Sequence, residues 1–213
     1  MSRAILFGAG GHARVVLDAL LACDPDRSVI LLDDAAQPGR TLLHLEVSGG
    51  RDWLLANHRP DDAIIPAIGD NRARLALIDW ANDRGFTIET VIHPAAVVGR
   101  EVSLGGGSFL AAGAIVNPCS TLGRGVIVNT AASVDHDCTI GDGVHLAPGV
   151  RLCGTVTLGA RSLVGVGAVV IPGRVIGADV VIAAGAAVAA DIADGLRVGG
   201  VPARPFAVPD REP

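Results

Sequence analysis

From Val98 to Val188 an aliphatic residue recurs at every sixth position, from Val98, Leu104, Leu110 and Val116 through Ile176, Ile182 and Val188. Gly often follows it, as at Gly99, Gly105, Gly123, Gly141, Gly159 and Gly177, and a small or β-branched residue stands four positions on, as at Ser108, Ala114, Ser120 and Val126. A period of six fits neither an α-helix nor a two-faced strand. It is the hexapeptide pattern of a parallel β-helix, in which stacked triangular coils bury a column of aliphatic side chains. Three hexapeptides make a coil of about 18 residues, so the stretch predicts roughly five coils. Unrelated strands of a β-sandwich would not hold one phase over so long a run.

Upstream of Val98 the pattern changes. Arg3 to Phe7 reads as a short buried strand, followed by Gly8-Ala9-Gly10-Gly11-His12-Ala13, a helical pattern from Val15 through Leu21, and a strand from Ser28 to Leu32 that ends in Asp33-Asp34. Thr41 to Val47 reads as a strand or an edge loop, and Arg51 to Asn57 as a short helix. Ala63 to Ile68 is a third strand, ending in Gly69-Asp70-Asn71. A helix follows over 72–84, and a fourth strand over Thr87 to Ile92 closes the domain. His93-Pro94 marks the boundary, because Pro biases the residue before it to an extended conformation. The expected units are an α/β domain with a parallel sheet over 1–92, a β-helix over 93–192, and a Pro- and Gly-rich tail over 193–213.

The first Gly stretch has the Gly-x-Gly-x-x-Ala form of a nucleotide-binding βαβ unit, with an acid about twenty residues further on. The glycines permit close backbone approach, and the helix start offers free N–H groups to a phosphate. Asp33 or Asp34 would accept hydrogen bonds from a ribose or base. Parallel strands present their C-terminal ends on one edge, which brings Gly69, Asp70 and Asn71 beside Gly10, Gly11 and His12. For His12, a place near a phosphate and a plain helix-start role are equally open. The segment is too short for the two halves that hold a dinucleotide, so a nucleotide carrying a sugar fits better than NAD.

Composition narrows the partners. Of 213 residues half are apolar, 28 are Gly, Tyr and Lys are absent, and the net charge is −5. With no basic run, nucleic acid is not an expected partner. Cys23, Cys119, Cys138 and Cys153 show no paired spacing, and Cys138 falls on the small inward position of the repeat. That pattern predicts a reducing compartment without disulfides or structural zinc. The apolar run Ala4 to Phe7 is too short for a signal sequence, and no uncharged stretch reaches membrane-spanning length. A cytoplasmic protein without membrane insertion is expected.

Among the six histidines, His44 and His58 lie in polar or irregular segments and His93 at the domain junction. His136 and His145 stand inside the repeat at positions the repeat does not need. A carboxylate beside an imidazole fixes its tautomer and raises its basicity, as general-base chemistry requires, and His136 is flanked by Asp135 and Asp137. The competing reading is an exposed corner of three solvated polar residues. The two histidines are half a coil apart, on opposite sides of one coil, so they meet only if chains pack side by side in a ring.

The chain as a whole resembles the left-handed β-helix acyltransferases. The left hand comes from that resemblance, since the general crossover rule gives the other. The run from Asn129 to Gly149, the first Gly loop, Leu32-Asp33-Asp34, Ala67-Ile68-Gly69-Asp70-Asn71, Val91-Ile92-His93-Pro94 and Gly199-Gly200-Val201-Pro202-Ala203-Arg204 look like the PglD/NeuD-like group. Its members are bacterial sugar-nucleotide N-acetyltransferases and sialic acid O-acetyltransferases. The resemblance implies that His136 is the general base and that Asp137, where some members carry Glu, orients it. It implies that Asn129 and His145 line the acetyl-transfer site, that the Gly154 N–H binds the thioester oxygen, and that Gly165 and Gly167 belong to the acetyl-CoA site. Acetyl-CoA, the co-substrate, would lie between adjacent β-helices of a homotrimer, with the nucleotide of the sugar in the N-terminal domain. The expected reaction is acetylation of the amine of a UDP-, GDP- or dTDP-linked amino sugar by direct attack on the thioester, since no Ser or Cys has an obvious adjacent base. The alternative is O-acetylation of sialic acid or another sugar. A zinc enzyme is disfavoured because catalytic zinc usually takes three protein ligands and the repeat supplies two histidines. A non-catalytic nucleotide-sensing protein would bind nucleotide without CoA.

Overall fold

A computed structural model describes residues 3–36 and 39–207. Its first unit is a sheet in the order β3-β4-β2-β1-β5-β6. The strands are β1 (Ala4–Phe7), β2 (Val29–Leu32), β3 (Thr41–Leu42), β4 (Leu45–Gly49), β5 (Ala63–Pro66) and β6 (Thr87–Ile88), with helices α1 (Gly11–Cys23), α2 (Arg51–Asn57) and α3 (Asn71–Asn82) between them. The stretch over Thr41 to Val47 is an antiparallel hairpin whose second strand continues alongside β2; every other pairing in the sheet is parallel. The central strand is buried along its length, as parallel sheets covered on both faces require. Alternate side chains go to opposite faces. Ala4 and Leu6 pack with α1 residues such as Ala13 and Leu17, and Ile5 and Phe7 pack with Leu54 of α2 and Leu77 of α3.

The second unit is a left-handed parallel β-helix. Two-residue strands recur along it, and each pairs in parallel with the strand one coil away. Phe109, Ile127, His145, Leu163 and Val181 form one continuous column on its first face. In each strand the second residue points inward, and Leu110, Val128, Leu146, Val164 and Ile182 are buried in one core with their counterparts on the other two faces. Cys138 lies in that core, as its place in the repeat predicts.

Two expected boundaries are corrected by the pairings. The single strand expected over Thr87 to Ile92 is two strands. β6 closes the sheet beside Ala63–Ile64, while Val91–Ile92 pairs with Phe109–Leu110 and is the first rung of the β-helix. Ile92 is in phase with the repeat, one period before Val98. The tail is also more than a tail. Ile192 bridges Ile176, and Arg197–Gly199 pairs with Val181–Ile182 before turning back antiparallel to Arg204–Pro205. The repeat loses phase after Val188 because this last coil is shorter than the others, but it still stacks.

The two units share one apolar core. Val91, Phe109, Ala111 and Ile127, on the first face of the β-helix, are buried with α1 and with the face of the sheet that α1 covers. The C-terminal ends of β1, β2 and β5 therefore sit beside the β-helix column that carries His145.

Candidate active site

The turn after β1 depends on Gly8, at φ +118°, where a Cβ would lie 2.7 Å from the Ala67 carbonyl oxygen. No other residue fits that turn without displacing the neighbouring strand end. The chain then enters α1 at Gly10 with no capping side chain, so the first amides of the helix remain available. Asp33 faces this loop. Its carboxylate accepts from the Ala9 amide at 2.7 Å and the Ala35 amide at 2.8 Å. Gly8, Gly10, Gly11, His12, Asp33, Ala67, Ile68 and Gly69 enclose a cleft of about 330 Å³. Asp34 does not line it; its carboxylate accepts from the Arg51 amide and pairs with the Arg51 guanidinium at the start of α2.

A second cleft of about 610 Å³ opens on the other side of Gly69, lined by Asp70, Asn71, Arg72, His145, Arg161, Leu163, Asp179, Val181 and Arg197. Asp70 caps α3 by accepting from the Ala73 amide at 2.8 Å. The Asn71 amide group donates to the Arg161 and Ser162 carbonyls and so ties α3 to the β-helix.

His12 and His145 face each other across the junction, ring centroids 6.1 Å apart, with His12 also edge-on to Phe109. Burial is the main cause that lowers both imidazoles to about 4, helped by the positive Arg74 nearby, so both are neutral at physiological pH. The His145 Nε2 lies 3.1 Å from the Asn129 side-chain nitrogen. Arg74, wholly buried on α3, is a polar core residue that the sequence did not single out. It occupies the first position of the buried stripe Arg74, Leu77, Ile78, Ala81, whose helical spacing was the available signal.

His136 lies elsewhere, at the corner after the strand Ser133–Val134. Asp137 takes φ +57° there, a left-handed conformation that Asp tolerates better than most residues. Its carboxylate bonds His136 Nδ1 at 2.7 Å. The shorter acid thus still reaches the ring. That bond, then the charge of Asp135, raises the His136 pKa above its ordinary value. Asp135 is itself held low by Asn117 and by the His136 amide. One coil further on, the ring lies over Gly154. A Cβ there would come within 2.6 Å of Cε1 and Nε2. The Gly154 carbonyl accepts from Gly173, and among the described residues no backbone bond uses its amide.

The residues expected at the acetyl-CoA site thus fall on two edges. Asn129 follows the strand Ile127–Val128, and Gly165 and Gly167 lie two coils beyond it on the same edge, with His145 on the adjoining face. His136 and Gly154 lie on the next edge, at the opposite side of the coil from His145. Among the described residues no three His, Cys, Asp or Glu side chains are grouped to hold a metal. No helix among them is long and apolar enough to cross a membrane.

Comparison with known proteins matches residues 3–81 to the family described as the PglD N-terminal domain. The UDP-N-acetylbacillosamine N-acetyltransferase of Bacillus subtilis strain 168 is 32% identical over 121 residues, which are 53% of this chain and 52% of that protein, so the matched stretch spans about half the length of that curated relative. The acetyltransferase domain of PglB from Neisseria gonorrhoeae FA1090, solved with acetyl coenzyme A, superposes with a TM-score of 0.92 at 37% identity, covering 97% of this chain and 100% of that one. A His-to-Asn variant of perosamine N-acetyltransferase from Caulobacter crescentus, solved with CoA and GDP-perosamine, superposes with a TM-score of 0.91 at 40% identity, covering 98% of each chain.

Proposed function

The chain belongs to the PglD/NeuD-like group of hexapeptide-repeat sugar acetyltransferases, and from that premise we propose that it transfers the acetyl group of acetyl-CoA to the amine of a nucleotide-linked amino sugar. The observation that carries the proposal is the corner at His136: an imidazole bonded at Nδ1 by Asp137 and lying over Gly154. With Nδ1–H donated to the carboxylate, the Nε2 lone pair is free to take a proton from the substrate ammonium or from the attacking amine. The amine adds to the thioester carbonyl carbon, the Gly154 N–H donates to the oxygen as it becomes negative, and the C–S bond breaks as CoA leaves with a proton as its thiol. Two of the relatives above are named as N-acetyltransferases, of UDP-N-acetylbacillosamine and of perosamine, which favours the amine over a sugar hydroxyl.

Gly10, Gly11, His12, Asp33 and Gly69 hold the nucleotide in this proposal, with its phosphates at the open amides of α1. Asp70 and Asn71 shape the loop beside them. Asp34 contributes through its hold on α2.

The active unit is a homotrimer. His136 and His145 lie on opposite sides of the coil within one chain, and the second face of the β-helix exposes Val97, Ile115 and Val169 in one column, with Ser133 and Arg151 between the last two. A neighbour that covers this face brings its own edge to the His136 corner, and acetyl-CoA lies between the two with Asn129, Gly165 and Gly167 on one wall. The exposed thiols of Cys23 and Cys119 support a reducing, cytoplasmic setting.

The deciding assay measures thiol release from acetyl-CoA over a panel of UDP-, GDP- and dTDP-linked amino sugars, with free sialic acid included. Release with a nucleotide amino sugar is expected. Release with sialic acid alone would transfer the reading to O-acetylation, and silence across the panel would end it. Light scattering should give three times the chain mass of 21.6 kDa. A monomer at micromolar concentration would remove the shared site.

A further inference from the structure

The corner that carries His136 is seated on the corner one coil before it. Asn117, Asp135 and Cys153 hold the same place in successive coils, their amides donating to the Val134, Leu152 and Val170 carbonyls. Two of the contacts between the first two corners belong to the repeat. The Asp137 amide donates to the Pro118 carbonyl at 3.2 Å, as the Gly143 amide does to Arg124. The buried Ser120 hydroxyl donates to the Asp135 carbonyl and accepts from the Cys138 amide, and Ser162 does the same for Gly177 and Val180. The third contact is not part of the repeat. Asn117 stands where Gly99 stands one coil earlier, and its side-chain nitrogen donates to Asp135 Oδ1 at 2.8 Å. Among the described residues no other asparagine bonds a carboxylate.

That oxygen accepts a second bond, from the His136 amide at 2.8 Å. Among the described residues this amide has no other partner. The His136 carbonyl accepts from the Thr155 amide at 2.9 Å, on the coil that carries Gly154. The backbone of His136 is thus held on one side by the next coil and on the other by Asp135 alone. Asp137 holds the ring and not the backbone. An Asp135 carboxylate without Asn117 can turn about its Cα–Cβ bond into water, and the His136 amide then takes a water in its place. The fold loses little by that exchange. The aim of the ring over Gly154 is what suffers, and a misplacement on the order of 1 Å can cost a hundredfold in rate.

We propose that Asn117 is a positioning residue for the base: by keeping the Asp135 carboxylate on the His136 amide, it holds the His136 ring over Gly154 from one coil away. The inference rests on the acetyl-transfer reading of this corner. The charge of Asp135 also helps to raise the His136 pKa, after the Asp137 bond, and the Asn117 bond is the main cause that holds Asp135 below its ordinary value. The other titratable groups around the corner are Cys119 and Glu101 from the preceding coils, Cys138 within it and Cys153 from the next.

The first test uses the unmodified protein. Nitrogen-15 histidine labelling gives one backbone amide signal per histidine, with that of His136 assigned by its loss in His136→Asn. This amide should be protected from solvent exchange. An amide that exchanges as fast as one in an unstructured peptide would overturn the inference whatever the activity. The second test uses Asn117→Ala, which removes the donor, and Asn117→Asp, which keeps the shape and sets a second carboxylate against the first. Both should lower kcat by roughly ten- to a hundredfold, with KM for acetyl-CoA within about twofold. In both, the His136 amide signal should move and lose protection while those of His12 and His145 stay. In Asn117→Ala the acid limb of the rate profile should fall toward 6.5, because the Asp135 charge moves into water. A plain structural bond predicts a lower melting temperature with wild-type kcat, an unmoved acid limb and an unmoved His136 amide, and that result would refute the proposal. If neither variant folds, the wild-type exchange rate decides. The spectra require no turnover. A protected, Asn117-dependent amide together with a silent thiol-release assay would remove the reaction and leave the Asn117–Asp135–His136 anchor standing, while thiol release with an unprotected amide would sink the anchor alone.

Discussion

The β-helix and the sheet domain carry their chemistry in opposite ways. In the β-helix every rung repeats the one before it, and the fold needs only an aliphatic residue inward and a small residue at the corner. A polar residue off that pattern, such as His136 or His145, has no job in the repeat. In the sheet domain polar residues at strand ends are the fold. Asp34 holds the start of α2, Asp70 caps α3 and Asn71 ties α3 to the β-helix. A carboxylate at a strand end is therefore an ambiguous sign of a ligand, while a histidine on a β-helix corner is a sharper one. In the sheet domain the groups proposed to bind the nucleotide are mostly backbone: the amides of α1 and the peptide of Gly69.

The comparison is most easily broken at His136. General-base catalysis contributes about 10²–10⁴-fold, and His136→Ala should lower kcat by that order, with the mass in solution and acetyl-CoA affinity near wild type. In the wild type the Asp137 bond raises the His136 pKa, so activity should fall as the pH drops through a value above the ordinary 6.5. Asp137→Asn should cost less and shift that limb downward. If His136→Ala turns over like wild type in the thiol-release assay, off-pattern residues in a repeat are no guide to chemistry here.

The sequence made the β-helix legible because its period is redundant: losing any one mark leaves the phase intact. Its ends were harder, for opposite reasons. Ile92 keeps the phase, but Pro94 punctuates the chain just after it, and the punctuation outweighed one matching residue. At the other end Ile192 and Val198 leave the phase yet still stack. The sheet domain was legible as elements, while the duties of its polar side chains were not, because capping and ligand binding draw on the same residue types. Arg74 was easily overlooked for a related reason. An arginine on a helix is ordinarily a solvated charge, and only the fold reveals that carbonyls from both units converge on it.

The junction between the two regions gives the next largest effect. His12 and His145 are held neutral with pKa values of about 4, against 6.5 when unfolded. The unfolded chain therefore binds more protons between those values, and stability present above pH 6.5 is lost as the pH falls toward 4. The ceiling is about 3 kcal/mol per histidine. His136, with its raised pKa, works in the opposite sense, but above pH 6.5, so it leaves the slope between 6.5 and 4 to the two buried histidines. Denaturant midpoints should fall between pH 7 and pH 4.5, and less so in His145→Asn. A flat midpoint over that range would mean that the junction does not hold its histidines neutral.

Within the sheet domain, Gly11→Val tests whether backbone groups bind the nucleotide. A Cβ at Gly11 meets nothing within 4 Å, so the fold should tolerate it. The Val side chain would nonetheless stand at the cleft wall and block close approach. Sugar-nucleotide affinity should fall roughly tenfold, about 1.4 kcal/mol, with acetyl-CoA affinity unchanged by calorimetry. Equal weakening of both ligands would point to damage in the shared core.

The smallest effect is expected where the two regions meet through exposed charge. Arg124 of the β-helix pairs with Asp79 of α3 at 2.8 Å and with Asp142 one coil away at 3.2 Å. On paper it joins the units as Arg74 does. The difference is water: its side chain is 42% exposed, and its partners are 57% and 39% exposed. Exposed pairs contribute about 0–1 kcal/mol and are screened by salt, whereas a buried guanidinium cannot lose an acceptor without leaving an unpaired charge. Arg124→Ala should therefore shift the denaturant midpoint by less than about 1 kcal/mol, and by less again at high salt. The readout is favourable, because Trp53 and Trp80 both lie in the sheet domain and report its unfolding by fluorescence. If Arg124→Ala separated that transition from the loss of β-helix circular dichroism, surface charge would be what joins the two units, and the buried core and Arg74 would not be enough.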